Sequence, residues 1–432
     1  MKYCLALGLL GSLVVGCGSD GGGHNTLTGS GECATDSLAI TVTGLPAGVS
    51  AKVTVDGPLN HASLVGSESL KVATGTYTIT ADPVTAPDPV VRKAYKASVS
   101  TAQADVHCGA DALAVSVTYS LIPTSNQLWV GSQNSDNDTF GYASAVLTSS
   151  GAPDATTTAS TAGSLPGAFD RDGNLWLIDG TAGSVGLKRY AADALAAGAN
   201  VTPDIVIGSD ALSGGIPGPT TLAFDGSGNL WVGVAYSNEV AKFAAADLAT
   251  STDSAVPSVE ISGVPSPAAL AFDVKGNLWV GSGNDVLEYT VDTLAASSSA
   301  PPATTIDAQT PEPVIGALSN VLGLAFNAEG QLWVNYDGTL ALLTSLESGT
   351  VTPAIQVQAD VLALPQGIAL DESGGMWLAY SAGKFCKFSA SQLTASGSVA
   401  PAVVISSAAL GSVTSPAFFP APARLGLYAS LK

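Results

Sequence analysis

Three histidines, five cysteines and 35 acidic residues are the side chains of this 432-residue chain that could ligate, attack or transfer a proton. His24, His61 and His107 all precede residue 119, so the long C-terminal stretch holds no imidazole to serve as a general base. His107 adjoins Cys108, a pair that falls short of a zinc ligand set. Asp170-x-Asp172-x-Asn174 has the opening spacing of a calcium loop, but the late bidentate acid is missing. The same Asp-x-x-Gly-Asn phrase recurs at Asp225 and Asp273 and reads as a hairpin turn, with Gly and Asn taking positive φ between two strands. Phosphate loop, dinucleotide fingerprint and Gly-x-Ser-x-Gly elbow are all missing from the sequence. A formal charge of −20 repels phosphate backbones, which excludes nucleic acid as a partner.

The cysteines divide by position. Met1-Lys2-Tyr3, the apolar run Cys4 to Val15, then Gly16 and Cys17 have the order of a secretory signal. The run is too short for the roughly 20 helical residues that cross a hydrocarbon core. Its end, Val14-Val15-Gly16-Cys17, resembles a bacterial lipobox, which implies cleavage after residue 16 and a lipid-anchored Cys17. Residues 17–32 are Gly- and Ser-rich and read as a flexible tether. Cys33 and Cys108 bracket one small domain, and in an oxidising compartment the simplest pairing is with each other. Such a loop closure would contribute roughly 4 kcal/mol. Cys386, in Lys384-Phe385-Cys386-Lys387-Phe388, alternates like a strand and reads as a buried thiol.

The elements that must position these residues are strands. Forty-eight Gly and 24 Pro make a turn-dense chain, and 46% apolar residues are enough for a packed core. Residues 33–118 show period-2 alternation, as in Leu38 to Thr43, Ala51 to Val55, Thr76 to Thr80 and Ala114 to Tyr119, separated by Gly- and Pro-containing turns. This predicts a small β-sandwich, resembling the immunoglobulin-like modules of bacterial surface proteins. Asp82 to Pro89, with three prolines, is expected as an exposed loop.

Residues 119–432 repeat. All six Trp sit in one phrase, clearest at Phe169 to Trp176, Phe224 to Trp231 and Phe272 to Trp279, weaker at Phe326 to Trp333 and Leu370 to Trp377, and degraded at Ile122 to Trp129 and Phe419 to Gly426. The Trp steps are 47, 55, 48, 54 and 44 residues, each holding four strand-like runs, which is the blade of a β-propeller. The fold class is therefore all-β, a propeller of four-stranded blades behind a sandwich. Seven blades are favoured over six, the last incomplete or closed by strands near Val115 to Ser120. The Trp stripe reads as packing between blades rather than a stacking platform.

The repeat resembles the NHL-repeat, streptogramin-lyase-like and gluconolactonase-like propellers, most closely at Gly367-Ile368-Ala369-Leu370-Asp371 through Trp377. The lyases of that group need a propeller His, which this chain lacks, and the metal ligands of the lactonases match no residue here. What remains is the loops between second and third strands, the face where propellers bind ligands. They carry Asp136, Asp138, Asp179, Asn238, Glu239, Asn284, Asp285, Asn335 and Asp337, with Tyr336 and Tyr380 beside them. Converging acids and amides there would take a cation such as calcium, a cationic ligand or a hydroxyl-rich one such as a glycan. The expectation is a cell-envelope lipoprotein whose propeller binds a glycan, a cation or an envelope protein; the alternative is a metal-dependent hydrolase or a lyase.

Overall fold

A computed structural model of the chain describes residues 35–109, 111–133, 138–161, 167–179, 186–209, 212, 219–307, 320–336, 338–359, 365–380, 383–407 and 409–422. Cys17 and Cys33 lie outside them, as do Asp136 and Asp337. Cys108 is disulfide-bonded. Cys386 is a fully buried thiol in the strand Lys384–Phe388.

The first body is two sheets over one core. Leu38, Ile40, Val115 and Val117 from a five-stranded sheet meet Val53, Val55, Tyr77 and Ile79 from a four-stranded one. Alternation produced this, because each strand offers one apolar face and the two faces cover each other. The last strand, Leu113–Leu121, carries Tyr119 into that core, just beyond the boundary expected at residue 118.

The Pro-rich stretch departs in part from expectation. Val84–Ala86 pairs as an edge strand with Lys93–Val99, a position that tolerates proline because one side needs no ladder bonds. Asp88 Oδ1 then accepts the backbone N–H groups of Val90 and Val91. That turn delivers both valines into the second body, among Leu128, Phe385 and Ile405. Arg92 pairs with Glu372 at 2.8 Å, Glu372 N–H donates to the Val90 carbonyl, and Asn126 N–H donates to the Arg92 carbonyl. Asp82, Pro87 and Pro89 are exposed as expected, but Val84–Ala86 is an edge strand and Val90 to Arg92, just after the stretch, form a wedge between the two bodies.

The second body is a β-propeller. Among the described residues it forms six four-stranded antiparallel units, two extended by a short parallel fifth strand. Counting the sheet of Gln127–Gln133 as the first, the inner strands of the second to sixth are Ala168–Phe169, Pro219–Phe224, Pro267–Phe272, Val321–Phe326 and Pro365–Leu370, and the first takes its inner strand, Ser412–Phe418, from the C-terminal end. That last strand pairs with Gln127–Gln133, so chain end and chain start share one sheet, and inner strands touch round a closed ring. Among the described residues six such units are formed, the alternative count, rather than the seven favoured from the sequence. The phrases at Ile122 and Phe419 are not two blades: Ile122 to Asn126 is a turn, and Ser412–Phe418 supplies the strand missing beside Trp129. Val115 to Ser120 stays in the sandwich.

Five of the six sheets are stapled to their predecessors at the rim. Oγ of Ser150, Ser251, Ser297, Ser348 and Ser396 each accepts a backbone N–H from the fourth strand of the preceding sheet. Small hydroxyl residues in the outer connections thus satisfy edge strands that would otherwise present unpaired donors.

Candidate functional site

The Asp-x-x-Gly-Asn phrase builds the seams between sheets. In the turns at Asp170, Asp225, Asp273 and Asp371, Oδ1 accepts the backbone N–H groups two and four residues on. Oδ2 accepts the indole N–H six residues on, from Trp176, Trp231, Trp279 and Trp377 at 3.0–3.2 Å. Only the glycine takes positive φ, for example 80° at Gly173 and 82° at Gly228; the asparagine stays out of that region and uses its side chain instead. Asn174, Asn229 and Asn277 accept a backbone N–H from the connection after the third strand. Carboxylates crowded by N–H donors are electrostatically satisfied, so these acids hold turns rather than cations. Burial, with the Asp170 charge beside it, pushes the Asp172 carboxyl above its ordinary range.

Rings at this repeat position meet the next sheet. Trp129, Trp176, Trp231 and Trp279 lie edge-on to Phe169, Phe224, Phe272 and Phe326, with centroids 6.0–6.3 Å apart. The stripe is therefore inter-sheet packing, as expected.

The second-to-third-strand loops are less of a site than their composition promised. Asp138 accepts the Ser160 hydroxyl at 2.7 Å across its strand pair. Asn238, at φ 54°, uses Oδ1 to hold Ser266 N–H and tie down the following connection. Asn335 is wholly buried; its amide donates to the Gln366 carbonyl of the next sheet and accepts Gly338 N–H. All three thus take part in hydrogen bonds that hold the fold. Asp179 ends the strand Leu175–Asp179 and Tyr380 the strand Met376–Tyr380, their side chains lying outside the description. Glu239 sits half-buried opposite Ser262, and Asn284 is exposed in a turn. Asp285 faces Asp307 across paired strands, and burial together with that like charge raises its pKa. Burial, reinforced by these two carboxylates, also drives the Tyr336 hydroxyl above its normal value. Among the described residues no three His, Cys, Asp or Glu side chains come together as a metal site.

Concavity lies at the opposite end, where the Asp-x-x-Gly turns emerge. On the axis a cavity of about 290 Å³ is walled by one alanine from every inner strand, Ala168, Ala223, Ala271, Ala325, Ala369 and Ala417, and by the Phe, Leu, Ile and Pro residues around them. Six-fold repetition explains this wall: the residue before each Phe or Leu falls at the same height in each sheet, and a small side chain there leaves the centre open. A second cavity of about 670 Å³ opens between the fifth and sixth sheets and shares Leu370 and Pro422 with the first. Its lining mixes Trp333, Leu342 and Ile355 with Asn327, Glu329, Gln331 and Thr344. Loop composition pointed to the other face; the signal for this one was where the repeat is broken.

No family profile and no curated protein matches the chain. Among solved structures it is similar to one titled "Crystal Structure of Mitotic Checkpoint Complex", at 12% identity and a TM-score of 0.36, over 53% of this chain and 61% of that one. It is also similar to "Streptogramin B lyase structure", at 13% identity and a TM-score of 0.35, over 60% of this chain and 70% of that one. The chain thus spans about three fifths of the first of these structures. Neither likeness bears on what this chain binds or does; the fold rests on its own sheets.

Proposed function

We propose that the chain is a lipid-anchored binding protein of the bacterial cell envelope. Cys17 would carry the acyl groups, residues 17–32 would tether the body, and the propeller would hold a small ligand on its turn face. The observation that carries the binding reading is the pair of abutting cavities, one apolar on the axis and one mixed beside it. Together they have the size and lining of small-molecule sites, mostly apolar with a few placed polar groups. A hydrolase or lyase would need oxygen ligands, or a nucleophile with its base, converging on the axis; the axial wall is alanine, phenylalanine, leucine, isoleucine and proline.

Two measurements test this. A Cys17→Ser variant should lose radiolabelled palmitate and leave the membrane fraction; label that persists would refute the anchor. Thermal-shift screening of the purified protein against neutral glycans, calcium and apolar probes should find a class that raises Tm by mass action. Metal-dependent turnover of a lactone or phosphotriester would overturn the reading.

A further inference from the structure

Six indoles occupy equivalent positions, and five of them donate a hydrogen bond, four to the turn aspartate and Trp129 to the Thr124 carbonyl at 2.8 Å. Trp333 does not; among the described residues nothing accepts its N–H. The cause is one atom. Where the other turns have Asp, this one has Asn327, whose Oδ1 still accepts Glu329 N–H and Gln331 N–H. Its second terminal atom is an NH2 group, a donor that cannot receive an indole N–H, and it turns to Gln331 Oε1 at 2.9 Å. Gln331, where the other turns have Asn or Gly375, is thereby taken from the role of holding the connection after the third strand.

Three further departures fall on the same seam. Leu370 stands where the next sheet has Phe in the regular seams. An aromatic residue stands at or next to the end of the third strand elsewhere, followed five positions later by a leucine: Tyr142 and Leu147, Tyr190 and Leu195, Phe243 and Leu248, Tyr289 and Leu294, Phe388 and Leu393. Here the strand closes on Leu343, with Leu346 only three positions on, so the connection that would cover the seam is shorter. The result is the larger cavity, with Trp333, itself 3% exposed, at its wall.

We infer that the crevice between the fifth and sixth sheets is a binding site for a neutral, polyhydroxylated ligand, a saccharide, whose oxygen accepts the Trp333 N–H. This rests on the binding reading above and narrows it to one place and one ligand class. The charges on the sixth-sheet wall are already matched, Asp371 with Lys387 at 2.6 Å and Glu372 with Arg92 at 2.8 Å, so neither a cation nor an anion finds an uncommitted partner there. Glu329 is exposed at the rim. An indole N–H, the Gln331 amide and the Thr344 hydroxyl beside Leu342, Ile355 and Leu370 suit a molecule with hydroxyls at its edge and C–H groups on its face.

The indole N–H resonances of the full chain provide the test, with Trp333→Phe identifying the one of interest. Titrating neutral di- and trisaccharides, including maltotriose, cellotriose and chitotriose, should shift the Trp333 resonance and leave the other five in place. Asn327→Asp restores an internal acceptor; it should weaken binding at least tenfold while Tm holds or rises, so loss cannot be ascribed to unfolding. Saccharide binding that spares the Trp333 resonance and survives Asn327→Asp would overturn this site while leaving a binding propeller intact. No binding by any of these saccharides also overturns it; whether the binding reading falls too is decided separately by the thermal-shift screen.

Discussion

The seam between the third and fourth sheets and the seam between the fifth and sixth are built on the same plan and end differently. In the first, Asp225 holds its turn and the Trp231 indole, and Phe272 meets that ring edge-on 6.0 Å away. In the second, Asn327 holds its turn but not Trp333, and Leu370 stands across. Turn closure uses one carboxylate oxygen and ring anchoring the other, so a change at the second oxygen alone keeps the hairpin and opens the seam. A repeat protein can therefore alter one seam without losing the blade, because each sheet contacts mainly its neighbours.

Removing the rings tests this difference most strongly. Trp231→Ala should cost about 3–5 kcal/mol in urea unfolding, the usual range for a buried large aromatic. Trp333→Ala should cost about 1 kcal/mol less, since it forfeits no indole hydrogen bond and no edge-on ring contact. Equal costs would erase the distinction between the seams.

Copying the altered turn into the regular one comes next. Asp225→Asn should leave the Trp231 N–H buried against an amide and destabilise by about 1–3 kcal/mol. The reverse exchange, Asn327→Asp, should stabilise by about 1 kcal/mol, with Trp333 N–H exchange slowed towards that of the other indoles. A destabilised Asn327→Asp would show that the turn there cannot present its second oxygen to the ring.

The smallest effect lies on the other face of the propeller. Burial and Asp307 raise the Asp285 pKa, so the folded state binds that proton more tightly than the unfolded chain. The group therefore weakens the fold at neutral pH, and the penalty fades as pH falls through the raised value. Asp285→Asn should raise stability by a few tenths of a kcal/mol at neutral pH, as expected for relief of a like-charge cross-strand pair, and the gain should shrink in acid. A gain that is flat with pH would assign it to packing rather than charge.

Four-stranded blades and the inter-sheet role of tryptophan were legible in the sequence because both are local. An Asp, a Gly three residues on and a Trp six residues on are close enough along the chain to meet wherever the hairpin forms, so spacing alone fixes their partnership. The internal hydrogen bonds of Asn238 and Asn335 were not legible, since a loop amide looks the same in sequence whether it faces a ligand or holds the neighbouring connection. The Asp82 to Pro89 stretch was legible only in part, because proline rules out a central strand but not an edge strand.

Sequence by itself determined the repeat, the turn chemistry and the place where both are broken, at Asn327, Leu343 and Leu370. Only the tertiary structure decided that Ser412–Phe418 completes the sheet of Gln127–Gln133, that Val90 and Val91 lock the sandwich onto the propeller, and that the breaks line a single crevice. Those outcomes join residues far apart in the chain, and such pairings follow from ring closure and the burial of apolar faces rather than from any local pattern.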